Sequence, residues 1–368
     1  MMNDVALCSM KTKIYLIIFT VLVSCKSNHN QPFTNEVRID SIMGKLLFPA
    51  GKNVLTGGDG AISIVIDKKK SLWLWGDSYV GESTGEMRES TIPSIFGNVF
   101  VLLDGDSART IYGGLPEQPL PVIVSEQVNG RHAVYWPHHG FLKNGILHLF
   151  VANIVFGGAG MWDFYCRAVV YCRLSYPDFT LIDRQELAAY PVNNVAYGFG
   201  LHEYHGHYYF YGSQFNRTSS TLHAGRARLT DNKLQNWEYF DGTEWTLDPS
   251  KTQPLSGIDI PISSQFSIIR YKKKFILLNQ ERGIGTNDIY TFVADNPVGP
   301  WYNRKKIYST PEPVRDRNLF AYNAMAHPQY DKDGMLLVSY CLNMHKPTHQ
   351  VADYRPRFIR VPYRLIMN

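Results

Sequence analysis

Two aspartates, Asp59 and Asp77, stand near the ends of the stretch GGDGAISIVIDKKKSLWLWGDSYVGE, residues 57–82. Between them the runs AISIVI and LWLW flank a polar DKKKS turn, the pattern of a β-hairpin whose open end returns both carboxylates to one place. With the turn centred near Lys69, antiparallel pairing sets Asp77 opposite Ala61, diagonal to Asp59 and on the same face. Diagonal neighbours lie roughly 7–8 Å apart at Cα, near enough for both carboxyls to address one substrate. Paired carboxylates in a cleft are the equipment of glycoside hydrolysis: one protonates the leaving oxygen, the other acts as nucleophile or activates water. Crowding two like charges raises one pKa and keeps a proton on the acid. The expected separation covers both the ~5–5.5 Å of retaining sites and the ~6.5–9.5 Å of inverting ones, so the stereochemistry stays open. Each aspartate alone, beside glycine, also suits a turn cap. Their joint placement favours chemistry.

Further candidates are spread along the chain. Glu281, in LLNQERG, ends an apolar strand and is a third acid, with Arg282 beside it as an ion-pair partner. Glu203, in GLHEYHG, lies close to a turn and reads as structural, and Asp163, in MWDFY, is a loop residue within reach of a ligand. Sugar positioning falls to Tyr135, Trp136, His138, Tyr197, Gln265 and Asn323, the rings for stacking and the amides for hydrogen bonds. The spacing in HEYHGH (202–207) looks metal-like, but a turn at His205–His207 splays the rings, so no metal site is expected. His327, in NAMAHPQY, points along an inner strand and reads as a buried histidine before an axial ion ligand.

The elements that must position these residues repeat. Hairpins like the first recur at 138–154, 197–214, 263–282 and 322–343, each an apolar-patterned strand, a tight Gly-, Lys- or Asp-rich turn and a strongly apolar second strand. Five units about 60 residues apart imply radial repetition of small antiparallel sheets. The expected fold is all-β, a five-bladed β-propeller over residues 45–368, with a sandwich as the alternative. Aligned turns place Asp59 in register with Tyr135, Tyr197, Ser264 and Asn323. The second strands return Asp77, Asn153, Gln214, Glu281 and Asn343 to the same mouth.

Composition sets the bounds. With 45% apolar and 19% charged residues in 368, a folded globular chain is expected. The net charge of +5 is spread out, with no basic stripe, which removes the case for nucleic acid. From Met10, MKTKIYLIIFTVLVSCKSN reads as a secretory signal over residues 1–24, too short for a comfortable membrane span. Its Leu-Val-Ser-Cys ending resembles a bacterial lipobox, which implies lipidation at Cys25 and a tether to the cell envelope over residues 25–44; an ordinary signal peptide or a membrane anchor is the alternative. Cys166 and Cys172 share one apparent strand and cannot bridge without a bend.

The text D-G-A-x-S followed by LWLWGDS resembles the opening blade of a bacterial glycoside hydrolase family long catalogued as a domain of unknown function. Its members are endo-D-arabinanases with a five-bladed propeller. NDIYTFVADNPVGPW (287–301) is similar to text in the arabinanase and fructanase propellers. The resemblance implies an acidic pair at Asp59 and Asp77 and a furanose-containing glycan such as arabinan. Those propellers usually add an acid glutamate from the third blade, where this chain offers only Glu203 at an unsuitable register; some hold an axial ion near a fifth-blade histidine, matched in position by His327. The expected protein is a lipid-anchored, monomeric polysaccharide hydrolase of the outer membrane or cell surface, needing no organic cofactor; a non-catalytic glycan-binding lipoprotein is the alternative.

Overall fold

In strand Lys70–Trp75 the side chains part by parity: Leu72 and Leu74 enter one apolar core, Trp73 and Trp75 another. Alternation of side chains across a strand that is covered on both faces produces this division. The second strands of the other hairpins behave alike. Phe150 faces away from Leu149 and Val151, Tyr209 and Tyr211 away from Phe210, and Ile276 and Leu278 away from Phe275 and Leu277. Each element is therefore a blade buried between two others.

The computed structural model describes residues 36–89, 94–95, 97–158, 160, 162–215, 219–281 and 286–368. The expected signal segment, Cys25 and Arg282 lie outside them. Four-stranded antiparallel blades start with inner strands Ile62–Val65, Ala133–Lys143, Ser267–Tyr271 and Leu319–Lys332; a blade with a fifth short strand starts at Val195–Tyr204. These inner strands touch in chain order, and the last meets the first. Five apolar cores fill the five gaps between neighbouring blades. Each fully buried Leu, Ile or Phe there contributes roughly 1.5–3 kcal/mol. The chain is a five-bladed β-propeller.

Ring closure corrects one boundary. The tether was expected to run through residue 44, yet Arg38–Ile39 already pairs with the last strand, Arg357–Pro362, as the outermost strand of the fifth blade. Asp40 then caps helix Ser41–Leu47, accepting from the backbone N–H groups of Ile42 and Met43 at 3.0 Å. Its other oxygen accepts from Arg360 Nε at 2.8 Å. Met43 and Leu47 enter the core between the fifth and first blades. Cys166 and Cys172 do share strand Phe164–Ser175, as free thiols.

Candidate active site

The first hairpin is longer than its blade. Beyond Ile62–Val65 and Lys70–Trp75, the same two chain segments pair again as Gly51–Gly58 with Ser78–Ser83. Gly58 faces Ser78 above the joint and Ile62 faces Leu74 below it, so both ladders centre the hairpin at residue 68. Asp59 and Asp77 therefore follow directly on the last pair of the upper ladder, one on each segment, at the joint. This corrects the expected diagonal placement: the turn centres one residue earlier than Lys69. At the joint the backbone departs from regular strand, with Gly60 and Ala61 at φ +95° and +48°, and Gly76 N–H donates to Asp59 O at 2.9 Å.

Glycine at 76 is a spatial requirement. A Cβ there would lie 2.6 Å from Asp59 Oδ1, closer than atoms can pack. Gly76→Ala is expected to turn the Asp59 carboxyl out of place. Because ~1 Å of misplacement can cost about 10²-fold in rate, glycan cleavage should drop roughly a hundredfold in a variant that still folds, as measured by initial rates beside a circular dichroism melt.

The two carboxyls are held by different kinds of donor. Asp77 Oδ1 accepts from Trp136 Nε1 at 2.9 Å and from Gly97 N–H at 3.0 Å. Asp59 Oδ2 accepts from the Tyr322 hydroxyl at 2.7 Å, and Asn343 Nδ2 donates to that hydroxyl at 3.3 Å. Tyr354 donates to the carbonyl of Asp77 at 2.7 Å. Gly97 is fixed by its neighbour Asn98, a buried side chain that bonds both backbone atoms of Ile123 and the carbonyl of Tyr135. Among the described residues no cation forms an ion pair with either aspartate.

Electrostatics follow from this setting. Burial pushes Asp59 up to about 7, the charge of Asp77 adds to the rise, and the Tyr322 and Tyr354 hydroxyls oppose it. Burial also pushes Asp77 up to about 6 against the two N–H donors. The charge of Asp77, once ionised, holds the proton on Asp59. N–H groups can only donate, whereas a hydroxyl can donate to a carboxylate or accept from a carboxylic acid. The bonding therefore suits Asp77 to the charged form and Asp59 to either form.

Most of the other expected site residues have partners of their own. Tyr135 (4% exposed) packs in the core between the first and second blades, and Tyr197 (0%) in the next one, so neither ring can receive a sugar. Both precede bulges in their inner strands, where apolar surface draws the rings inward. His138 is buried too; its Nδ1 lies 2.8 Å from the carbonyl of Tyr197, its ring packs on Phe199, and burial lowers its pKa to about 4. It is a neutral inter-blade link. Gln265 is half-buried with an unpartnered Oε1, and Asn323, at φ +55°, accepts from Ser263 Oγ at 3.0 Å. Glu281 follows strand Lys274–Gln280; its backbone bonds Asp288 and Thr286, and its charge bears on Tyr290. Glu203 accepts from Tyr208 at the turn end of its blade, and Asp163 caps its own loop through Gly160 N–H.

His327 is not built for an ion. Ser63 Oγ, which accepts from Gln329, lies 2.7 Å from Nδ1, and Ser339 Oγ lies 2.8 Å from Nε2. Both nitrogens are engaged, and burial drives the pKa down to about 3. A metal would need one of those lone pairs free. Among the described residues no group of three or more His, Cys, Asp and Glu side chains is placed to hold a metal ion. A cavity of about 530 Å³ does open on the axis, but at the hairpin-turn end, lined by Ser63, His139, Lys143, Arg270 and Gln329. It contains neither aspartate, and the donor chemistry that sets their protonation is at the other end.

Comparison with known proteins bears on this site through its scaffold. The family model described as "Domain of unknown function (DUF5005)" matches residues 48–363. The chain belongs to the DUF5005 family. No curated protein matches this DUF5005 chain. A solved protein of Bacteroides ovatus ATCC 8483, a hydrolase by conjecture, shares 16% identity at a TM-score of 0.70, over 90% of this chain and 92% of that one. The α-L-arabinanase of Cellvibrio cellulosa shares 11% at 0.46, over 82% and 91%. The α-L-arabinofuranosidase of Podospora anserina, solved with cellotriose, shares 10% at 0.45, over 86% and 94%. At these identities the likeness is one of fold, and the chemistry has to be argued from the site.

Proposed function

We propose that this DUF5005 protein is a glycoside hydrolase that cleaves a polysaccharide, with a furanose-containing glycan such as arabinan as the first candidate. One observation carries the reading: two buried carboxyls at one hairpin joint bear on each other electrostatically, lack a neutralising cation among the described residues, and are held differently, Asp77 by N–H donors that suit only its charged form and Asp59 by a hydroxyl that suits either form. Asp59 is the general acid. Its proton passes to the glycosidic oxygen as the bond to the anomeric carbon breaks. Asp77 is the anion, either attacking that carbon or drawing a proton from an attacking water. The second course of a retaining reaction would return a proton from water to Asp59, restoring the starting state. The fold shared with the Bacteroides ovatus protein supports the reading as scaffold only. The resemblance of the first blade to endo-D-arabinanases supports the substrate class.

Anchorage belongs to the same proposal. Lipidation at Cys25, supported by the Leu-Val-Ser-Cys text, would hold a monomeric propeller at the envelope, where polymeric glycans are met. The test is a reducing-end screen of the chain from Cys25 onward against arabinan, arabinogalactan, xyloglucan, galactan, levan and polygalacturonate. Release from a glycan of this set is expected. No release from any of them overturns the reading.

A further inference from the structure

A line of aromatic rings connects one aspartate to the other through two blades that are not neighbours. Trp136, whose indole N–H holds Asp77, meets Phe164 edge to face at 4.9 Å. Phe164 lies 6.4 Å from Trp162, and Trp162 lies 6.3 Å from Phe320. Phe320 stacks on Tyr322 at 5.5 Å with 29° between the planes, and Tyr322 holds Asp59. Trp136, Trp162 and Phe164 belong to the second blade, Phe320 and Tyr322 to the fifth, and the aspartates to the first blade between them.

Trp162 is 62% exposed and belongs to none of the apolar cores. Against it stands Phe320, half-buried, with the His345 ring 5.0 Å away. A lone exposed apolar residue needs no explanation, but an exposed ring that continues into a partly exposed one and on to polar groups has the make-up of a binding surface. Here the line of rings leads on both sides to a carboxyl pair with no ion-paired cation among the described residues. The surroundings favour a ligand that presents an apolar face and carries no negative charge. A sugar ring meets both conditions, since the C–H groups on one of its faces are apolar and its hydroxyls point to the edge.

We propose that Trp162 and Phe320 form a stacking platform that holds one ring of an uncharged glycan beside Asp59 and Asp77. The proposal rests on the glycan-cleaving reading of that pair and adds the residues that seat the substrate and the class they admit. Aromatic faces supply rigid contact area at little conformational cost. The two rings meet at the middle of the line, which runs to Asp77 through Phe164 and Trp136 on one side and to Asp59 through Tyr322 on the other. A uronate ring would bring a third carboxylate to the same place and be repelled.

Affinity electrophoresis separates this proposal from the activity itself. Asp77→Asn, which binds without turnover, is run through gels containing arabinan, xyloglucan, galactan, levan or polygalacturonate. Retardation by at least one of the four neutral polymers, and none by polygalacturonate, is expected. Adding Trp162→Ala should weaken that retardation roughly tenfold, the size of an aromatic contact, while Trp162→Tyr restores most of it. The exposed position of Trp162 predicts an unchanged melting temperature for both. Retardation that survives Trp162→Ala and Phe320→Leu, retardation by polygalacturonate alone, or none in any gel overturns the platform. Reducing-end release by the wild-type chain in any of those cases leaves the hydrolase reading standing.

Discussion

Asp77→Asn and Asp59→Asn should each lower glycan cleavage by about 10²–10⁴-fold, the range a positioned acid or base contributes, without lowering the melting temperature. The geometry explains why the loss is chemical. An amide oxygen at position 77 keeps the bonds from Trp136 and Gly97, and an amide oxygen at 59 keeps the bond from Tyr322. What disappears is the charge at 77 and the transferable proton at 59. Stability should move the other way at neutral pH. The folded-state pKa of Asp59 lies above its unfolded value, so between roughly pH 4 and 7 the folded chain holds a proton that the unfolded chain has released. Wild-type stability therefore falls with rising pH across that window, and Asp59→Asn removes this contribution. Calorimetric melts at pH 5 and pH 8 should show the variant gaining on the wild type at the higher pH. A variant that melts earlier at pH 8, or retains comparable activity, contradicts the assignment.

The repeat itself was readable because blade strands obey simple rules. Apolar runs such as LWLW and FILL have to be covered on both faces, and turns such as DKKKS and KNG have to be wet, so five hairpins at one period left few architectures. The acid pair was readable for the same reason, since hairpin geometry alone returns Asp59 and Asp77 to one place. Its register was missed by a single step: two glycines and a left-handed Ala61 make the joint, and their φ values are invisible in the text. The tyrosines misled because phenols occur in both mouths and cores. Tyr135 and Tyr197 share the register of Asp59, but bulges after each let the rings turn into the packing. Tyr322 and Tyr354, the groups that do contact the pair, come from the fifth blade and from a 3-10 turn at Val351–Tyr354. They lie more than 260 residues away in sequence, and no local pattern marks them. Trp162 could have been noticed as a tryptophan in a Gly-rich loop, GGAGMWD, where no strand requires one.

Tyr322→Phe should move one limb of the pH profile and leave the other. Cleavage requires Asp77 charged and Asp59 protonated, so the rate rises as Asp77 loses its proton and falls as Asp59 loses its own. The profile is then a bell with its top between about 6 and 7, its limbs being macroscopic values that belong to the pair. The Tyr322 hydroxyl stabilises the charged form of Asp59, opposing burial and the neighbouring charge. Removing it leaves those two causes unopposed at that oxygen, which carries the alkaline limb to higher pH. The acid limb, set by the burial of Asp77 against its bonds from Trp136 and Gly97, should stay in place. Trp136→Phe has the opposite footprint: loss of an N–H donor raises the pKa of Asp77, so the acid limb moves up and the bell narrows. Rates on the most readily cleaved polymer of the screen, taken from pH 4 to 9 for the three proteins, resolve both limbs. If Tyr322→Phe lowers the rate evenly at every pH, the tyrosine is only a structural support and the division of labour between the two acids has to be reversed or abandoned.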